Sequence, residues 1–324
     1  MPEASLVEGS LITKFFNVHR YSALHGCIFK KRDNSMISYK QLIPLIVFFN
    51  IAHLISNNQI NREKFVIGTH IERGFFSAVM LALSGIKWCL ENNKIPVVYW
   101  DNSSPYYQPE GYLGKKNVWE YYFKQVSNLN YEDNDIIHKL MSYPTYSLID
   151  QLYNNKNNLV PGANPLKLKL HALAKQYLRI NISIKNKIDN FYNQNMRGKV
   201  TVGIHLRGTD KHTEINQVSL ESIFKEANKH VCDQYFIATD EERFIIAAKK
   251  HLKKDVIYYP SIRSSNNSPL HYSNSSSKAQ LGEEVLIEAQ LLSKCFKMIH
   301  TASAVSLAAI AFNPFIHNIF LSSL

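Results

Sequence analysis

From residue 64 onward, short apolar runs alternate with segments whose apolar residues recur every three or four positions. That is the pattern of strands feeding helices in a β/α fold. It predicts a strand at 65–68, a loop at 70–75 through Gly74, a helix at 77–91 and a strand at 94–100. Residues 101–114, rich in Pro, Gly, Ser and Tyr, predict a long loop, followed by the aromatic segment 118–123. Between 165 and 199, Leu173, Tyr177, Ile180, Ile184, Ile188 and Phe191 fall on one helical face, while eight Lys or Arg and one Asp fill other positions. One amphipathic helix with a basic outer face is expected there, ended by Gly198. At Val200 the alternation restarts, with strands at 200–204, 234–238, 256–259 and 296–300. Helices are expected at 220–230, 241–252 and 283–293, and a small-residue helix from Ser306. The Ser/Asn-rich stretch 263–278 reads as a mobile surface loop.

The length, 324 residues, suits two domains after an N-terminal extension at 1–60 packed on the first of them. We place an α/β domain at 61–195, ending in the basic helix, and a second β/α domain at 196–324. With 45% hydrophobic and 19% charged residues the chain has globular composition, which excludes a mostly disordered, collagen-like or coiled-coil protein. The net charge of +11 favours anionic partners: nucleotide phosphates, nucleic acid or an acidic membrane surface. Cys27, Cys89, Cys232 and Cys295 stand singly, with no C-x-x-C pair, which argues against structural zinc and a disulfide scaffold. No basic start precedes an apolar run, and the apolar stretch 42–55 is broken by Pro44, Asn50 and His53. The expected location is cytoplasmic, with peripheral contact at the inner membrane face as an option.

Candidate chemistry concentrates where strands end. VTVGIHLRGTDKHTE (200–214) runs an apolar strand directly into His205, Arg207, Asp210, Lys211 and Glu214. Polar groups at the carboxyl ends of parallel strands are where open α/β sheets bind ligands. FIATDEE places Thr239 and Asp240 after the next strand, as ligand contacts or as a helix cap. MIHTASAVS places Thr301, Ser303 and Ser306 before the small-residue helix, as an anion cradle or an ordinary N-cap. Asp133-Asn134-Asp135 has the D-x-D form of metal-dependent sugar transfer but sits in a polar turn, where capping is the preferred reading, so no metal site is assigned. P-loop, G-x-G-x-x-G and G-x-S-x-G patterns are absent, which disfavours P-loop, dinucleotide and serine-hydrolase chemistry.

His205-Leu206-Arg207-Gly208-Thr209-Asp210-Lys211, with Glu214 after it, resembles the H-x-R-R-T-D-K motif of core α1,6-fucosyltransferases and rhizobial nodulation fucosyltransferases. FIATDEERF and GEEVLIEAQLLSKCFKMIHTASAVS resemble the second and third motifs of that superfamily, and GFFSAV, VVYW and NVWEYYF its acceptor half. The resemblance spans roughly residues 65–320. It implies a GT-B-like α/β fold, two Rossmann-like domains facing a central cleft, and inverting, metal-independent transfer of fucose from GDP-fucose to a glycan, glycolipid or protein hydroxyl. The nucleotide sugar is a co-substrate, and no cofactor is implied. Arg207 would hold the β-phosphate, His205 and Glu288 would lie near the guanine or ribose, and Thr301 and Ser303 would contact the diphosphate. Thr239 and Asp240 would complete the donor side, with Glu214 as base, Lys211 its partner and Asp210 in reserve. Two departures stand out: Gly208 replaces the second arginine, and Glu214 is one residue closer to the lysine. The alternatives are the same fold with another nucleotide sugar, a non-catalytic nucleotide- or glycan-binding protein, and a nucleic-acid-binding protein. The basic segment lacks the interleaved aromatics that would favour the last.

Overall fold

In the computed structural model, which describes residues 62–69, 74–139, 165–208, 218–265 and 277–321, the first apolar run forms β1 (Lys64–Gly68). All the elements below belong to one unit, Glu63–Leu324. Helix α1 (Phe75–Glu91) buries residues on nearly every side, which explains its weak amphipathicity and its start two residues before the expected one. It returns the chain to β2 (Ile95–Val98), parallel to β1. The aromatic segment forms the short helix α2 (Trp119–Tyr122), and β3 (Ile137–Lys139) completes a parallel sheet of order β2-β1-β3. The loop 101–114 is irregular, as expected. Cys27 and the stretch 42–55 lie outside the described residues; Cys89, Cys232 and Cys295 are free and buried.

The single basic helix expected at 165–199 is two helices, α3 (Pro165–Tyr177) and α4 (Ile182–Asn195). The interruption is tertiary. Ile180 bridges Phe123, and Lys124 N donates to Arg179 O at 2.8 Å while Asn181 N donates to Tyr122 O at 2.9 Å. The Asn181 amide donates to Glu120 O at 2.8 Å and Tyr121 O at 3.1 Å. These bonds satisfy carbonyls of α2, and Asn181, a favourable N-cap type, becomes the N-cap of α4. The basic face persists in exposed Lys169, Lys175, Arg179 and Lys185. Lys167 departs from it, being 1% exposed. Gly198 follows α4 at φ +78°, a left-handed conformation that glycine adopts without strain.

The second half holds β4 (Thr201–Leu206), α5 (Leu220–Ala227), β5 (Gln234–Thr239), α6 (Glu242–His251) and β6 (Asp255–Ile257). It continues with α7 (Lys278–Ser293), β7 (Lys297–His300), α8 (Ala304–Phe312) and β8 (His317–Phe320). Its five strands are all parallel in the order β6-β5-β4-β7-β8. Strand β8 was not read from the sequence, because a four-residue edge strand gives too short a pattern. Helix α7 begins five residues before the expected start, where Ser277 caps it by accepting from Gln280 N.

Alternation along the two central strands sorts the core. Val202, Ile204, Leu206, Tyr235 and Ile237 pack with Phe224 and Ile245 of α5 and α6. Phe236, Ala238 and Met298 face the other way and join a cluster with α7 and α8. Gly203 lies on that second face, where a Cβ would come within 2.9 Å of Cys295 Sγ and 3.0 Å of Leu292 Cδ2, so α7 crosses close to the strand. The same cluster runs on into Phe65, Phe75, Trp100 and Tyr122 of the first half. Tyr122 OH donates to Ala279 O at 3.0 Å, and Phe75 meets the Tyr122 ring edge-on at 4.7 Å. Position 196 thus falls where one sheet gives way to the other, while the core continues across it.

Candidate functional site

The chain enters the five-stranded sheet at β4, builds outward through β5 and β6, then returns to the opposite side of β4 as β7. The strand order therefore reverses between β4 and β7, and the carboxyl edge at such a switch point is where open α/β sheets hold ligands. The register aligns the strand ends: Leu206 pairs with Thr239, and His205 with Ala238 and His300. Arg207, Asp240 and Thr301 consequently leave the sheet at one level.

His205, 5% exposed, shares its face of β4 with Gly203 and so points to the α7 side. Helix α7 runs antiparallel to the strands and carries Glu288 one turn before Leu292, which puts Glu288 and His205 on facing surfaces. Glu288 accepts from Ser261 Oγ at 2.8 Å and Arg263 Nη2 at 3.1 Å. Burial pushes its carboxyl up to about 8, against the opposing pull of Arg263 and Ser261. On the adjoining turn Glu284 accepts from Ile262 N and from Gln280 Nε2, each at 2.8 Å. Glu283 accepts from Tyr112 OH at 2.9 Å and pairs with Lys187.

Asp240 accepts from Gly208 N at 3.0 Å, and Thr239 Oγ1 accepts from Glu241 N at 3.2 Å. The structure thus gives both residues local bonds at the exits of β4 and β5, while the N-cap of α6 is Glu241, with no side-chain cap bond from Asp240. It also accounts for Gly208. A Cβ there would lie 1.9 Å from Glu241 Oε1, 2.4 Å from Glu241 Cδ and 2.7 Å from Phe244 Cε2. Glu241 is fully buried, so a carboxylate fills the space that an arginine stem would need.

On the other side of the switch point, Ser303 is the N-cap of α8 and accepts from Val305 N at 3.1 Å. Ser306 Oγ donates to Thr301 O at 3.1 Å and Ser303 O at 2.9 Å. The Ser303 hydroxyl is therefore engaged in the cap, and an anion at this end would meet the first-turn N–H groups and the half-exposed Thr301. His300 is buried, with Nδ1 3.0 Å from Thr301 O; burial lowers its pKa to about 4, leaving a neutral imidazole. Asn318 Nδ2 lies 3.5 Å from His300 Nε2 and accepts from Lys167 through Oδ1 at 3.4 Å. This buried chain fixes the carbonyl from which the Thr301 turn departs.

Asp210, Lys211 and Glu214 lie outside the described residues. Asp135 pairs with Lys64 at 2.8 Å and accepts from Glu132 N at 2.7 Å. Since Lys64 opens β1, the D-x-D turn sits at the amino edge of the first sheet, away from the strand ends that carry the site. Among the described residues no cluster of three His, Cys, Asp or Glu is placed to hold a metal ion.

No family model and no curated protein matches the chain. Solved structures do. Fucosyltransferase NodZ from Bradyrhizobium is 16% identical with a TM-score of 0.49, the match covering 77% of this chain and 92% of that one. FUT1 from Arabidopsis thaliana, in complex with GDP, is 10% identical with a TM-score of 0.46, covering 82% and 73%. POFUT1 in complex with GDP is 10% identical with a TM-score of 0.41, covering 79% and 98%.

The residue that sequence reasoning missed at this site is Arg263. Its stretch reads as a Ser/Asn-rich surface loop, yet the Arg263 side chain is 4% exposed. It donates to Tyr259 O at 2.7 Å and Ser261 O at 3.0 Å, and its guanidinium stacks over Tyr258 at 5.0 Å. Ser264 pairs along Asp240–Glu242, donating from N to Asp240 O at 2.8 Å, and this short ladder pins the segment to the end of β5. The signal available was weak: one Arg before a polar run, with its Glu partner 25 residues on. Residues 266–276 of the expected loop lie outside the described residues.

The first sheet carries its own carboxyl-edge features. Asp101, just past β2, pairs with Lys139 at the end of β3 at 3.1 Å and accepts from Ser103 N at 3.0 Å. Burial works to raise its pKa, but bonds from Ser103 and Lys139 prevail and lower it. Beyond it, Asn102, Ser104, Tyr107, Gln108, Pro109 and Lys278 line an open depression of about 350 Å³.

Proposed function

We propose that the chain is an inverting, metal-independent glycosyltransferase that moves fucose from GDP-fucose to a hydroxyl of a glycan or protein. The observation that carries this reading is the switch point between β4 and β7, with Arg207 leaving one strand and the α8 N-terminus following the other at the same level. A departing nucleoside diphosphate builds negative charge, which a guanidinium and a helix N-terminus stabilise as it develops. His205 to Gly208, the described part of the HLRGTDK motif, run from β4 into that turn, and the motif's resemblance to fucosyltransferases supports the choice of donor. In this reading Arg207 grips the β-phosphate and the α8 turn receives the rest of the diphosphate. His205 and Glu288 face the base or ribose, with Arg263 and Ser261 orienting the Glu288 carboxyl. Glu214 takes the acceptor proton, Lys211 supports it, and Asp210 is the reserve.

One observation favours a second reading, the same site with a different nucleotide sugar: Glu241 fills the place of the motif's second cation. A thermal-shift comparison of GDP, UDP and CMP separates the two. Ligand at 100 times its dissociation constant stabilises the native state by about 2.7 kcal/mol. GDP is expected to raise the unfolding midpoint most. A larger shift with UDP or CMP selects the second reading, and no shift with any of the three rejects both.

A further inference from the structure

The edge of the five-stranded sheet opposite the switch point carries an unusual set of exposed side chains. Val200 immediately precedes β4 and Phe296 immediately precedes β7, while Val231 and Phe315 stand shortly before β5 and β8. Because every strand is parallel, all four lie at the amino edge. Their exposures are 42% for Val200, 94% for Val231, 63% for Phe296 and 69% for Phe315. Single exposed apolar residues are normal on a protein surface, but these belong to adjacent strands. Phe296 N donates to Thr201 O at 2.9 Å, next to Val200. Lys297 Nζ lies 3.0 Å from His230 Nδ1, which brings the start of β7 beside the residue preceding Val231. With strands about 4.8 Å apart, the rim from β5 to β8 is roughly 15 Å long.

The surroundings are cationic. Arg197, Lys199, Lys229 and Lys294 are exposed around this rim, with Lys297 half-buried beside them. Acidic groups offset part of this charge: exposed Asp255 opens β6 on the same edge, and the others each meet a neighbour. Glu226 pairs with Lys229 and His230, Asp189 faces Lys294 at 3.9 Å, and Asp233 accepts from Val200 N at 2.7 Å. Protruding aromatic and aliphatic tips with basic side chains beside them match the chemistry of a bilayer interface, where apolar tips enter the acyl boundary and cationic groups meet lipid phosphates. The chain's net charge of +11 acts in the same direction.

We propose that this amino edge docks onto an anionic lipid bilayer, with Phe296 and Phe315 entering the interface and the surrounding lysines meeting the headgroup phosphates. The carboxyl edge, with the candidate donor site, then faces away from the bilayer. The proposal stands apart from the sugar-transfer reading.

Cosedimentation of the full chain with phosphatidylglycerol/phosphatidylcholine vesicles, and with phosphatidylcholine alone, tests it. The chain is expected to pellet with the anionic vesicles and to be released as salt rises toward ~1 M, where screening is nearly complete. The double variant Phe296→Ser/Phe315→Ser, with an unchanged unfolding midpoint, is expected to lose at least about tenfold in vesicle partitioning. Lys294→Glu/Lys199→Glu should lose a similar factor by the charge route. No pelleting with anionic vesicles, or equal pelleting of wild type and both variants, overturns the proposal. So does a concentration-dependent dimer that the Phe→Ser pair abolishes while vesicle binding stays absent, since the face would then belong to a second copy of the chain.

Discussion

Substituting Gly208 distinguishes a missing cation from a packing requirement. By motif alone, Gly208→Arg restores a phosphate-binding residue and strengthens donor binding. The geometry says the opposite. A Cβ at 208 would lie 1.9 Å from Glu241 Oε1 and 2.7 Å from Phe244 Cε2, so the Glu241 carboxylate must retreat by about 1.5 Å to reach ordinary van der Waals separation. It has little room to do so. Glu241 is fully buried, its N–H is held by Thr239 Oγ1, its backbone is laddered to Ser264, and its other carboxylate oxygen pairs with Arg243. Overpacking of this kind costs about 1–3 kcal/mol. Gly208→Ala should therefore lower unfolding free energy in urea by that amount, and Gly208→Arg by more, with no gain in nucleotide affinity. At Gly74, the N-cap of α1, nothing lies within 4 Å of an added methyl, so Gly74→Ala carries only the loss of a better N-cap residue, about 1 kcal/mol or less, and no overpacking. Wild-type stability in Gly208→Ala, or tighter GDP binding in a stable Gly208→Arg, would refute the packing account.

Three further outcomes are expected. Glu214→Gln should lower kcat by about 10²- to 10⁴-fold with little change in donor affinity, since a positioned base contributes that much; near-normal turnover moves the assignment to Asp210. Turnover should survive EDTA, and loss restored by Mg²⁺ or Mn²⁺ would count against a metal-independent grip. Glu288 has a folded pKa of about 8, above its ordinary 4.5, so the native state binds its proton more tightly than the unfolded chain. Its contribution is full at low pH and is lost as pH rises from about 4.5 to about 8. At about 1.4 kcal/mol per pKa unit, unfolding free energy should fall by more than about 2 kcal/mol across that range. Glu288→Gln should flatten the slope, and an unchanged slope would mean that Arg263 keeps the carboxylate ionised.

Periodicity was enough to read the β/α alternation, the second sheet's first four strands and the strand ends that carry polar groups, because central parallel strands are uninterrupted apolar runs. It failed where long-range bonds decide the local conformation. The pattern through Leu178–Asn181 is helical, and only the α2 carbonyls turn it into a break. Arg263 looks like a loop residue until Glu288 and the Ser264 ladder bury it. The four-residue β8 has too little pattern of its own and is defined by pairing with β7. At the site, residue type gave the candidates His205, Arg207, Asp240, Thr301 and Ser303, and the family resemblance added Glu288. It did not give their division of labour: Asp240 ties down Gly208, Ser303 caps α8, and Glu288 is held by Arg263. Those roles depend on which backbone N–H groups the fold brings within reach.

In the proposed donor site the turn after β4 grips a nucleoside diphosphate through Arg207. Calorimetric titration of wild type and Arg207→Ala with GDP and with guanosine tests it directly. A charge-assisted bond to phosphate is worth about 1.5–3 kcal/mol, or roughly 10- to 150-fold in affinity. A loss of that size is expected for GDP and almost none for guanosine, with Arg207→Lys recovering only part because the bidentate geometry is gone. Equal losses for the two ligands, or undiminished GDP binding in Arg207→Ala, would contradict it.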